Sequence, residues 1–268
     1  MGETYLHGHH ESVLRSHSWR TAQNSAGYLL EHLAPGTSVL DVGCGPGTIT
    51  ADLARLVVDG RVVGLERVPE PLEQARAHAA GLDNLTFDVG DVYELPYADG
   101  EFDVVHAHQV LQHLMDPVAA LREMSRVCKP GGVIAVRDAD YGAMTWFPDD
   151  PRLPRWQEIY RQTARAIGAE PDAGRHLKSW ALQAGLTDIV STASVWCYAA
   201  PDEIEWWSGL WADRVLHSNF HELALALTDE AELDDLSAAF RWWGEQPDAW
   251  FLVPHGEVVA RPAAYSAQ

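Results

Sequence analysis

One stretch constrains this chain more than any other: VLDVGCGPG at residues 39–47, an apolar run that enters a cluster of three glycines. A buried strand that ends in glycines lets the backbone turn sharply and pass unusually close to a ligand. Gly43, Gly45 and Gly47 are the close-approach positions, and the helical pattern ITADLARLVV follows at once. Strand, glycine loop and helix in this order place a ligand at the carboxyl edge of a sheet.

The rest of the chain is organised around that unit. RVVGLE reads as a second strand, PEPLEQARAHAAG as a helix, NLTFDVGD as a third strand and FDVVHAHQ as a fourth. DPVAALREMSRVCKPGG has Asp116 as cap and Pro117 in the first helical position, ends on Lys-Pro-Gly-Gly, and leads into the strand VIAVRDA. Strands that alternate with helices imply right-handed βαβ units and a parallel sheet. The expected fold is α/β, a doubly wound Rossmann-like, mostly parallel sheet of seven strands. Ahead of it, residues 1–35 predict a helical segment leading into the core, with Ala22, Ala26, Leu29, Leu30 and Leu33 on one face. The ligand-binding domain is expected over 36–200. A tryptophan-rich helical insertion from Asp202 to about Gly244 forms a substrate cap at 201–246, and 247–268 holds the last strand and the tail.

Composition narrows the partners. With 39 acidic against 19 basic side chains, the net charge of −20 repels a phosphate backbone, so no nucleic acid is expected. No stretch has membrane-spanning length and no leader pattern opens the chain, so no membrane span and a cytoplasmic setting are expected. Three scattered cysteines form neither a disulfide framework nor a zinc pattern. His7, His9 and His10 lack an accompanying carboxylate or cysteine, so no metal is expected either. The expected partner is a small-molecule acceptor; a homodimer stays open.

Two acids refine the ligand. Glu66, at the end of the second strand and roughly twenty residues past the loop, is placed to accept both hydroxyls of a ribose. Asp91, in GDVYELP after the third strand, is placed to accept a hydrogen bond from an adenine amino group. DVGCGPG, Glu66, GDVYELP, FDVVHAHQVLQHL and RVCKPGG together resemble class I S-adenosylmethionine-dependent methyltransferases, particularly the ubiquinone/menaquinone biosynthesis group, over residues 36–140.

The resemblance implies S-adenosyl-L-methionine as cofactor. By that likeness the three glycines lie under the methionine part, Asp41 steadies the loop, Glu66 takes the ribose, and Asp91 with the backbone of Val92 reads the adenine, flanked by Arg67. Ala107 and His108 lie near the ammonium and the sulfonium. Relatives that methylate amides or nucleobases have an Asn/Asp-Pro-Pro-aromatic motif after the fourth strand, where this chain has HAHQ, so oxygen or carbon methylation is expected. His108 is the candidate catalytic base, because imidazole accepts a proton near neutrality. His106 is expected to face the other side of the strand. The resemblance also implies that the segment at 1–35 covers the cofactor, where Tyr5, His10, Trp19 and Arg20 are expected to close over the site. Asp140 and Tyr141 with Trp206 and Trp207 are expected to open on an acceptor pocket. A glycine loop plus an acid also occurs in nicotinamide-dependent oxidoreductases, and a cofactor-binding member without methyl transfer is a further alternative.

Overall fold

The apolar runs form the strands they predict. The computed structural model describes residues 19–263, and Tyr5 and His10 lie outside that range. Five strands run in parallel, β1 (Ser38–Val42), β2 (Arg61–Glu66), β3 (Leu85–Val89), β4 (Phe102–His108) and β5 (Cys128–Ala139), in the spatial order β3-β2-β1-β4-β5. Chain order reverses beside β1, the switch point where a doubly wound sheet opens a crevice.

The sheet has eight strands. β8 (Trp250–Arg261) lies antiparallel to β5, and β7 (Thr187–Tyr198) lies antiparallel to β8 on its far side. The addition is β6 (Thr145–Phe147), three residues that continue the β5 side of β8. Among the described residues no helix is long and apolar enough to cross a membrane.

Each sheet face is covered because alternate strand residues point to opposite sides. Val39, Val104, Val133 and Ala135 meet α1 (Ala22–Ser25) and α2 (Thr48–Leu56) on one face. Leu40, Val105, Ala107 and Val136 meet α4 (Pro117–Val127) and α6 (Leu177–Gln183) on the other, with α3 (Glu70–His78) between β2 and β3 in sequence. Asp116 caps α4, its Oδ1 accepting from the N–H of Ala119 at 2.9 Å. Lys-Pro-Gly-Gly does not close that helix as the sequence suggests. It is the irregular start of β5, where the pairing with β4 shifts register between Phe102 and Val104. The amphipathic pattern after Thr21 is also broken: α1 is one turn, followed by a 3₁₀ helix over Gly27–His32. Asn24 and Thr21 bond back to the local backbone, and Gly27 favours no regular helix.

The long tryptophan-rich helix is three helices, α7 (Pro201–His217), α8 (Asn219–Ala224) and α9 (Glu230–Gly244). Ser218, extended at φ −105° and ψ 173°, ends the first, and Asp229 caps the third. They pack with α5 (Arg152–Ala166) around an aromatic core in which the rings of Trp156 and Trp211 lie 4.4 Å apart and those of Tyr141 and Tyr160 4.1 Å apart. Rings that bury about 150–250 Å² each account for a small unit holding its own core.

Beneath the antiparallel part, Arg137 on β5 faces Glu257 on β8 at 3.2 Å, both buried, and Thr192 on β7 donates to the same carboxylate at 2.9 Å. Burial pushes the Arg137 pKa down to about 10. Removing one member of such a pair strands a buried charge. Glu257→Ala is therefore expected to cost about 3–5 kcal/mol in urea unfolding, whereas Arg137→Met with Glu257→Leu should recover most of it. A single variant within about 0.5 kcal/mol of the parent would show that the pair does not hold these strands.

Candidate active site

The glycine loop after β1 is fixed by its backbone before any ligand is considered. The N–H groups of Gly43 and Cys44 donate to the carbonyl of Leu65 at 2.8 and 3.0 Å, tying the loop to the end of β2. The next N–H, from Gly45, donates to Glu66 Oε2 at 3.0 Å. Gly43 has φ +66°, and a side chain there would meet Val110 at 2.4 Å. Gly47, at φ +74°, opens α2, and a β-carbon there would come within 2.8 Å of Ala75 on α3. Its lack of a side chain thus serves helix packing as well as the turn.

Asp41, at the end of β1, is 3% exposed. Its Oδ2 accepts from the hydroxyl of Thr50 on α2 at 2.6 Å, and its Oδ1 lies 2.7 Å from His106 Nδ1 on β4. This carboxylate thus links the end of β1 to α2 and β4 on either side of the loop. His106 does not face away from His108. The two are separated by two residues, the full period of a strand, so both lie on the face with Val104, where the Tyr28 ring lies 6.4 Å from that of His106.

Around the loop opens a cavity of about 410 Å³, within the roughly 300–1,000 Å³ of small-molecule sites. The carboxyl ends of four parallel strands contribute to it: Asp41 on β1 with Gly43 and Gly45 after it, Glu66 on β2 with Arg67 after it, Asp91 and Val92 after β3, and His108 on β4. Two expected residues do not line it. Gly47 is turned against α3, and Ala107 sits on the opposite face of β4, in the core with α4 and α6. The carboxylate of Asp91 accepts from the N–H of Tyr93 at 2.9 Å.

The expected acceptor residues are elsewhere. Trp19 packs on the rings of Trp196 and Trp206, at 5.2 and 6.0 Å, and Trp207 stacks on Tyr198 at 4.3 Å inside the aromatic core. Asp140 receives two bonds from Arg175, both 2.6 Å. None of the four borders the cavity. Large aromatic surface gains more from a dry core than from a pocket wall, which is why these tryptophans pack inward.

What borders the far side is Arg20, Gln109, Gln112 and His113, with Tyr141 and, from the cap helix α7, Arg214. Sequence reading places Arg20 and Tyr141 near the site but misses Arg214. An arginine inside the mostly apolar stretch LWADRVL was its one available signal. Gln109 adopts φ +54°, donates its Nε2 to His255 Nε2 at 2.8 Å, and accepts at Oε1 from Arg20 at 2.7 Å.

Burial dominates the titration of this region. It holds His108 and His255 well below the usual imidazole range, with Arg137 adding to the effect, and it pushes His113 down to about 3. Both ring nitrogens of His108 are buried with no hydrogen-bond partner in the protein. Asp138 is pushed up to about 8 by burial, although the N–H of Gln112 donates to it at 3.1 Å.

Comparison with known proteins fits this geometry. A family model described as a methyltransferase domain matches residues 33–194. An uncharacterized methyltransferase of Schizosaccharomyces pombe is 35% identical over 268 positions, covering 95% of each chain. The 27-O-demethylrifamycin SV methyltransferase of Amycolatopsis mediterranei is 28% identical, over 94% of this chain and 89% of its own. Among solved structures, the YcgJ protein of Bacillus subtilis superposes with a TM-score of 0.57 at 17% identity, over 89% of this chain and 98% of its own.

The buried groups fix a pH dependence of stability. Below an unfolded pKa of 6.5 the unfolded chain protonates His108, His113 and His255 while the native protein does not, so each removes about 1.4 kcal/mol per pH unit as pH falls. Asp138 acts oppositely: the native protein keeps its proton up to about pH 8, and that stability is lost as pH rises from 3.8 toward 8. Stability between about pH 5 and about pH 8 should therefore peak near 6.5, and Asp138→Asn should flatten the alkaline limb. Urea unfolding across this range checks it; a monotonic profile would contradict the assignment.

Proposed function

Because the chain belongs to the methyltransferase-domain family, we propose that it transfers the methyl group of S-adenosylmethionine to an oxygen or carbon of a small, largely apolar or aromatic metabolite. The observation that carries this reading is the single cavity joining the Gly43–Gly45 loop, Glu66 and Asp91 to His108. The residues fit the cofactor. A loop whose glycine at 43 has no room for a side chain cradles the methionine end, and Glu66 receives the ribose hydroxyls on a carboxylate with about four lone-pair positions. Asp91 accepts from the adenine amino group, with Val92 as the apolar wall beside it and Arg67 at its flank.

When bound, S-adenosylmethionine supplies an electrophilic methyl group on a sulfonium. The protein's part is to align the acceptor, exclude water and receive a proton. Held neutral by burial, His108 lines the cavity with both ring nitrogens covered and unpartnered, so it would take a proton once a bound acceptor reaches one of them. For a hydroxyl acceptor the proton released on transfer would pass to His108, and the charge gained by the ring would match the one the cofactor gives up. The likeness to a methyltransferase named for an O-demethylated rifamycin favours oxygen as the atom methylated.

Calorimetry with S-adenosylmethionine and S-adenosylhomocysteine is expected to give saturable heats, weakened by about 1–3 kcal/mol in Asp91→Ala. No heat with either compound would defeat the reading. His108→Ala is expected to lower kcat roughly 10²- to 10⁴-fold and to lose the acid limb of the pH profile while retaining cofactor affinity. Loss of cofactor affinity at constant kcat would assign His108 to cofactor positioning. Turnover of a labelled methyl donor against extracts separates transfer from binding alone.

A further inference from the structure

The acidic side chains on the cavity wall are gathered in one half. Asp41 and Glu66 near the ends of β1 and β2, and Asp91 in the loop after β3, all lie in the half assigned to the cofactor, where Arg67 stands beside Glu66. The half formed by the loop after β4, the segment before α1 and the cap carries Arg20 and Arg214, with Gln112, His113 and Tyr141 beside them. In a chain with 19 basic against 39 acidic side chains, two arginines on one end of one cavity run against the composition.

Both arginines are set in place by the fold. Arg214 is 5% exposed on α7, with its guanidinium 5.0 Å from the Trp211 ring centroid. Arg20 Nη2 donates to Gln109 Oε1 at 2.7 Å, which ties it to the loop after β4. The half-buried imidazole of His113 is held down first by burial and then by these same two cations, which places both charges close to its ring. Planar guanidinium groups match carboxylates with paired N–H donors. A sulfonium in the same cavity adds a further positive charge, which disfavours an ammonium-bearing acceptor and favours an anionic one.

Resting on the methyltransferase reading, we infer that the methyl acceptor carries a carboxylate, received by Arg20 and Arg214 at the cap end while its methylated atom lies toward His108. The acceptor is then an apolar or aromatic acid, and the cap selects it through charge as well as shape.

The test titrates benzoate, phenylacetate and 3-phenylpropanoate, each against its neutral amide, into protein saturated with S-adenosylhomocysteine. At least one acid is expected to bind tenfold or more tightly than its amide. Arg214→Met should reduce that preference to threefold or less, Arg214→Lys should keep part of it, and Arg20→Met provides an independent second variant. S-adenosylhomocysteine affinity should stay within twofold throughout, which also reports that each variant is folded. Equal binding of acids and amides, no binding by any acid, or an undiminished preference in both methionine variants would overturn the inference while leaving the methyltransferase reading intact. Failure of the parent protein to bind S-adenosylhomocysteine would overturn both.

Discussion

Asp41 joins three parts of the molecule through one buried carboxylate. It ends the strand at the switch point, receives the Thr50 hydroxyl from α2, and meets the His106 ring on β4. A glycine loop with three positive-φ residues has little preference of its own for one shape. Its form is imposed by its two ends and by the carbonyl of Leu65 and the carboxylate of Glu66. A buried carboxylate left without these donors would be costly, so the network is either complete or strongly destabilising. The site therefore inherits its geometry from the core beneath it.

The first half of the chain was legible because each element there is specified locally. Apolar runs of five to seven residues form β1 to β4, two of them running directly into glycine, Asp116 and Pro117 open a helix, and the acids at 66 and 91 stand at or just past strand ends. Parallel strands are buried on both faces and so read as continuous apolar runs. What misled was information of longer range. The pleat sets His106 and His108 on one face, a matter of counting two residues correctly, whereas the inward turn of Trp207 depends on Tyr198, nine residues earlier on another element. Arg214 reaches the cavity only because α7 folds back over the loop after β4, which no local pattern announces. The break in the first helix was missed for a related reason: Gly27 interrupts a pattern whose apolar periodicity continues across it.

The cap and the nucleotide half are built on different economies of contact. The sheet core is aliphatic, valine and leucine in alternation, while the cap core is aromatic, with Trp156, Trp211, Trp243 and Phe240 fully buried. The two meet mainly through rings: Trp207 lies 4.3 Å from Tyr198 on β7 and 5.4 Å from Phe251 on β8, while Trp243 lies 5.7 Å from Phe251 and donates its indole N–H to the carbonyl of Phe147 on β6 at 2.9 Å. Ring pairs favour particular geometries and the indole bond is directional, so the cap is held in one placement against the antiparallel strands.

The cap is also an excursion that closes on itself. It leaves the sheet at Tyr198 and returns at Trp250, and Tyr198 pairs directly with Phe251 in the antiparallel ladder between β7 and β8. The two ends are thus neighbours whatever lies between them, and the entropy of closing such a loop grows only slowly with its length. Helices can be lengthened, exchanged or lost inside that excursion without changing the register of ten paired residues that anchor it. The parallel strands that shape the glycine loop take no part in that pairing, so their half of the cavity keeps its form whatever helices stand between Tyr198 and Trp250.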